Sequence, residues 1–231
     1  MLTLEMSRTQ FSIAQQIAIP RSLSGPRFGT YVAIAGNDIH LALKLYEWNL
    51  RLSSAFMIPI AIAEVALRNS IDAALTDLYN PDWPWDAGFR KELPNPLVGE
   101  FNPRRELINT AARHAHPMRS GKVVADLKFI WWEKILRARH EGTIWNTKLL
   151  DVFPNAPRGL QISTVREILR DAVHETRELR NRIAHHESIV TRNLVVDLQR
   201  LRRIASFVGH DVEQWLASIE DVTRLLADRP S

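Results

Sequence analysis

Between Ile162 and Ile183, small or apolar side chains recur at alternating steps of three and four: Ile162, Val165, Leu169, Ala172, Thr176, Leu179 and Ile183. That spacing keeps one face of an α-helix apolar, whereas a half-buried strand needs alternation at every second residue. No alternating run of useful length occurs anywhere in the 231 residues. The pattern therefore predicts an all-α chain, most simply a helical bundle, with a helix from Gln161 to Ala184 as its cleanest element.

The same periodicity, with fewer repeats, marks other helices. Leu41, Leu45, Trp48 and Leu52 share one helical face, with Asn37 and Asp38 as caps. A second face runs through Ile60, Val65, Leu67, Ile71, Leu75 and Leu78, with Pro59 at its start or at a kink. Five prolines between Pro81 and Pro103 argue for a long loop pinned by Trp83 and Trp85. A short helix from Arg104 to about His114 follows, then an apolar helix from Val123 to His140 with Val124, Leu127, Ile130, Trp131 and Ile135 inward. Leu194, Leu198, Leu201, Ile204 and Phe207 predict a helix ending near Gly209, and a last helix runs near Val212 to Leu226. Residues 1–36 lack this periodicity and carry Pro20, Gly25, Pro26, Gly29 and Gly36. They are expected as an N-terminal arm or loosely attached helix, with 37–231 as the helical domain.

Composition narrows the chemistry. With no cysteine there is no disulfide, no Cys-ligated zinc, no iron–sulfur cluster and no thiol nucleophile, which fits a reducing cytoplasm. The most apolar run, Ala55 to Leu67, is thirteen residues long and includes Pro59 and Glu64, short of the about 20 a membrane span needs. It is expected as a core helix of a soluble protein, with no membrane partner. The start of the chain has no basic stretch followed by a long apolar one, so no secretory signal is expected. Net charge is +4, and all of it falls within Arg158–Arg203, where ten arginines and no lysine face six acidic residues. Such an excess permits bidentate contacts to phosphate, and it equally fits a solvated helix face of Glu–Arg pairs.

Within that segment, Glu178-Leu179-Arg180-Asn181-Arg182-Ile183-Ala184-His185-His186-Glu187 is the densest polar cluster in the sequence. Histidine exchanges protons near neutrality, and arginine stays cationic against charge growing on phosphate oxygens. At about 100° per residue, Arg180 falls at the border of the apolar face, and His185 lies roughly 140° around from it and about 7.5 Å further along. In one straight helix the two diverge. They meet if the chain turns after Ala184, or if two copies bring their junctions together about a symmetry axis. His185 and His186 at a helix end equally suit capping of the last carbonyls. His185, His186 and Glu187 have donor atoms for a metal, but adjacent residues seldom aim at one ion and no His at i+4 supports it. No metal and no cofactor is expected.

The stretch Arg180-Asn181-Arg182-Ile183-Ala184-His185 resembles the signature of the HEPN superfamily, an Arg followed by a polar residue and, after four to six positions, a His. Further blocks resemble its Abi-like (abortive infection, Abi_2) family, in that family's order: Leu45-Tyr46-Glu47-Trp48-Asn49, Glu64-Val65-Ala66-Leu67-Arg68-Asn69, and Gly121 to Leu127 leading to Trp131-Trp132. The resemblance spans roughly residues 38–215. It implies a helical bundle that dimerises so that two Arg–His motifs line one cleft. It also implies a metal-independent endoribonuclease, acting as a toxin or phage-defence effector on RNA, with an antitoxin as a further partner. On that reading His185 is the general acid or base, Arg180 steadies the phosphorane-like charge, and Asn181 orients backbone or substrate. His186 also satisfies the spacing, and Arg182 and Glu187 support the cluster. A non-catalytic module that binds RNA or protein is the alternative.

Leu-Arg-Asn occurs at Leu67–Asn69 and again at Leu179–Asn181. Glu64 and Arg68, four residues apart, either hold the Arg180 cluster in place or form a structural ion pair. Trp131 and Trp132 are expected in the core. Trp83 and Trp85, in a loop, have the shape to stack bases.

Overall fold

The apolar face that begins at Leu45 does not stop at Pro59. Leu45, Trp48, Leu52, Phe56, Ile60, Ala63, Leu67, Ile71 and Ala74 keep one helical register, and all are buried. Proline removes one backbone hydrogen bond, but burial on both sides of it holds the helix together. The two helices expected either side of Pro59 are thus one, Ile39–Tyr79, capped by the Asp38 carboxylate accepting from the Leu41 N–H at 3.0 Å. The computed structural model describes residues 10–97, 99–114 and 119–231, and among them it is 76% helix with no strand. The chain is all-α.

In chain order the helices are α1 (Ile13–Ser22), α2 (Gly25–Ile34), α3 (Ile39–Tyr79), α4 (Ala87–Glu92), α5 (Pro103–Arg113), α6 (Ser120–Asp126), α7 (Phe129–Ile135), α8 (Asn146–Val152), α9 (Ile162–Ala184), α10 (Leu194–Val208), α11 (His210–Ile219) and α12 (Val222–Ala227). Helix α3 is the spine, and α2, α8, α9, α10 and α12 pack against it. Trp48 donates its indole N–H to the Leu225 carbonyl at 2.7 Å, which fastens α12 to α3. Within the stretch expected as an arm, α1 buries no residue, but α2 buries Phe28 and Tyr31 and is part of the bundle. Residues 1–9 of that arm lie outside the described residues.

The single helix expected from Val123 is interrupted. It divides into α6 and α7 around extended backbone at Leu127 and Lys128, and a 3-10 turn (Ala138–His140) and a π turn (Glu141–Trp145) precede α8. The proline-rich stretch carries a 3-10 turn at Trp83–Trp85 and the short α4. Trp83 is fully buried, stacked at 5.7 Å on Trp131, and donates to Asp72 at 2.7 Å. It has no face left for a base. Trp131 and Trp132 are core residues.

One α3 face stays outside the core. Leu50, Met57, Ile58 and Val65 are between 44% and 54% exposed. An 18-residue window of α3 has a mean hydropathy of 1.7 with 33% of it buried, so by length and composition alone this helix is apolar enough to cross a membrane.

His140 is 2% exposed, and burial pushes its imidazole down from the ordinary 6.5 to about 4. The unfolded chain takes up this proton first as pH falls. The contribution of His140 to stability is therefore complete above pH 6.5 and drains away as pH drops towards 4. Urea midpoints measured across that window should fall with pH, and the fall should shrink in a His140→Gln variant.

Candidate active site

Helix α9 ends where its apolar spacing ends. Val165, Leu169, Ala172, Thr176, Leu179 and Ile183 are buried, and Ala184 is the last helical residue. The chain then closes with three backbone bonds: His185 N–H to Asn181 O at 2.9 Å, His186 N–H to Ile183 O at 3.0 Å, and Glu187 N–H to Arg182 O at 2.8 Å. The last two form the Schellman pattern, which satisfies the terminal carbonyls and requires a left-handed residue at the position of His186. His186 has φ = 55°. Capping is therefore performed by backbone groups. The imidazoles of His185 and His186 and the Glu187 carboxylate are exposed, with no hydrogen-bond or ion-pair partner among the described residues.

Three further ties fix this turn. Asn49, 3% exposed on the core face of α3, accepts the Ile189 N–H at 2.9 Å. Arg182 donates to the Ser188 carbonyl at 3.2 Å, and Arg27 of α2 donates to the His185 carbonyl at 3.3 Å. Asn49 lies inside a block quoted above, yet the spacing assigned it no role. Its signal was a lone amide on an otherwise apolar face, since a buried amide requires a partner.

Of the ten arginines from Arg158 to Arg203, six pair with acids: Arg166, Arg170, Arg177, Arg192, Arg200 and Arg202. Arg182 bonds the Ser188 carbonyl. Arg158, Arg180 and Arg203 are exposed with no acidic partner among the described residues. The neighbour of Arg180 is another cation. Arg68 of α3 pairs with Glu64 and donates to the Ala125 carbonyl at 3.1 Å, one of the unsatisfied carbonyls at the end of α6. Burial, and secondarily the charge of Arg180, hold the Arg68 guanidinium below its ordinary pKa. Glu64 and Arg68 thus form a largely buried structural pair, and Arg68 also stands behind Arg180. Asn181 is half-buried, with no side-chain hydrogen bond among the described residues.

The structure brings Arg68 beside Arg180. Within one chain Arg180 and His185 share no contact among the described residues. His185 caps α9 with its N–H still bonded to the Asn181 carbonyl, so by helical geometry the two side chains leave the axis roughly 140° apart. Among the described residues no group of three or more His, Asp or Glu side chains is arranged to hold a metal. Compared with known proteins, the chain matches no family model, no curated protein and no solved structure.

Two substitutions separate cap from side chain. His186→Gly should raise the unfolding free energy by roughly 0.5–1 kcal/mol, since glycine adopts the left-handed conformation without strain. His185→Ala should change it by less than about 0.5 kcal/mol. Urea denaturation checks both.

Proposed function

We propose that the chain is a metal-independent endoribonuclease of the HEPN type, whose active site forms between two copies. The observation that carries this reading is the state of Arg180: a solvent-facing guanidinium, unpaired in a segment where most arginines are paired, and backed by a second cation. Glu64 already offsets Arg68, so the charge left uncompensated is that of Arg180, which is open to an anion from solvent. A phosphodiester supplies that anion.

On this reading the ribose 2′-oxygen attacks the adjacent phosphorus as an imidazole takes its proton. The bond from phosphorus to the 5′-oxygen breaks, and a proton from water returns to that oxygen. The products are a 2′,3′-cyclic phosphate and a 5′-hydroxyl. His185 of one copy serves as the base, and Arg180 of the other copy stabilises the charge on the phosphorane oxygens. Asn181, Arg182, His186 and Glu187 support the turn and its electrostatics, with Glu64 and Arg68 behind Arg180. DNA lacks the 2′-hydroxyl and is not a substrate.

Support for two copies comes from α3. At about 100° per residue, Leu50, Met57, Ala61 and Val65 share a side of the helix, and Arg68 falls on that same side. The exposed apolar stripe therefore runs up to the cation behind Arg180. A symmetric pair of chains meeting on this stripe would bring both Arg–His turns towards one cleft. The effector role as a toxin or phage-defence protein, an antitoxin partner and a cytoplasmic location follow from this reading together with the resemblance.

Purified protein should cut single-stranded RNA in EDTA. His185→Ala and Arg180→Ala should each lower the rate about 10²–10³-fold with the fold retained. Equal cutting by His185→Ala, or loss of cutting on metal removal, would dismiss the assignment; salt-dependent binding with RNA left intact would select the non-catalytic alternative.

Ile58→Glu with Val65→Glu should convert a sedimenting dimer to monomer and abolish cleavage together. A wild-type monomer, or flotation of the wild type with lipid vesicles in place of self-association, would remove the interface.

A further inference from the structure

A second cationic feature lies outside the Arg–His turn. The proline-rich stretch, α5 and the end of α7 enclose a cleft of about 770 Å³. Five cations line it, Lys91, Arg104, Lys134, Arg137 and Arg139, against one acid, Glu100. They do not share one function. Arg104 is structural, since its guanidinium donates to the Leu93 carbonyl at 2.8 and 3.1 Å and to the Lys91 carbonyl, closing the loop over α5. Arg139 makes one long contact, 3.5 Å, to the Glu92 carbonyl. Lys91, Lys134 and Arg137 make no hydrogen bond or ion pair among the described residues. These free charges come from α4, from α7 and from the turn after it, so folding gathers them from separate segments. No acid pairs with these three among the described residues, whereas Arg166, Arg170, Arg177, Arg192, Arg200 and Arg202 each have one.

The cleft also has apolar walls. Pro94, Pro96, half-buried Phe101 and Ile130 line it beside the cations. Cations that follow a backbone, next to flat apolar surfaces, are the combination that holds a single strand of nucleic acid without reading its sequence. The cleft is also coupled to α9. Lys134 is held below its ordinary pKa by burial first, and then by the charges of Arg137 and, further off, Arg177. Arg177 bonds Glu133, the residue before Lys134, at 2.6 Å, and precedes Arg180 by one helical turn. Arg177 is itself neutralised by Glu133 and Glu178, so the link from the cleft to the Arg180 end of α9 is a structural one.

We infer that this cleft binds the phosphate backbone of a single-stranded RNA whose scissile linkage lies at Arg180. The inference rests on RNA being the ligand of the Arg–His turn, and it gives the proline-rich stretch a function as a substrate-holding subsite. A strand is the occupant inferred, because the free cations line the cleft beside apolar walls, the combination that meets a nucleic-acid backbone and its bases.

The test uses the His185→Ala chain, which leaves RNA intact, and a labelled single-stranded RNA of about 20 nucleotides. Binding is followed by anisotropy over a range of salt. Replacing Lys91, Lys134, Arg137 and Arg139 together with Gln should weaken binding ~10-fold or more and reduce the slope of log affinity against log salt by roughly 2–3. Arg137→Glu alone, at an exposed position, repeats the test with a single change and should weaken binding in the same sense. In the otherwise unaltered chain, the four Gln replacements should raise KM for long RNA and leave cleavage of a dinucleotide unchanged. Unchanged affinity and slope would overturn the cleft even if cleavage persists. A lowered slope in a protein that never cuts RNA would keep the cleft and discard the nuclease. Displacement of the RNA by an equal concentration of nucleoside triphosphate would overturn the strand in favour of a compact ligand.

Discussion

Helix α3 has to bury a single face along roughly 60 Å, and the rest of the bundle is arranged to meet that requirement. Its apolar register passes through Pro59 unchanged, so a helix that backbone chemistry alone would interrupt is maintained by what packs on either side. The same helix holds the two polar ties of the candidate site. Asn49 anchors the turn after α9 through the Ile189 N–H, and Arg68 stands behind Arg180. A residue facing the core thereby positions a turn more than a hundred positions later in the chain.

Capping and chemistry at the His-His pair are compatible. A Schellman turn needs only backbone N–H groups and one residue with positive φ, so it leaves both imidazoles without a structural task. The strain carried by His186 is modest, because histidine tolerates the left-handed region better than branched residues do. The turn presents three titratable side chains to solvent at the end of a well-buried helix, with Arg180 on the flank. Its rigidity comes from Asn49, Arg182 and Arg27, all of which hold backbone carbonyls or N–H groups and none of which uses an imidazole.

Much of this was legible in the amino-acid sequence. The three-and-four spacing of Ile162 to Ile183 placed α9 with both ends, because that helix is amphipathic along its whole length and a polar turn follows it. Where register outlasted a breaker, the spacing misled: Pro59 signalled an end that burial cancelled. The converse happened at Leu127–Lys128, where nothing but tertiary packing divides an apolar run into α6 and α7, with Arg68 satisfying the exposed carbonyl end. Burial of Trp83 depended on Asp72 and Trp131, partners distant in sequence. The exposure of Arg180 was foreseeable only as a border position, since the fate of Arg166 and Arg177 on the same helix depended on Glu141 and Glu133, acids from other segments.

The central claim is that Arg180 of one chain and His185 of another act on one phosphodiester. Mixing an Arg180→Ala chain with a His185→Ala chain tests it most directly, because each is inactive alone. A site shared across the symmetry axis leaves one intact Arg–His pair in every mixed dimer, and cleavage should return to about a quarter of the unsubstituted level in an equal mixture. If both residues act within one chain, every site in the mixture lacks one of them. Cleavage that stays at the level of the separate variants would contradict the account.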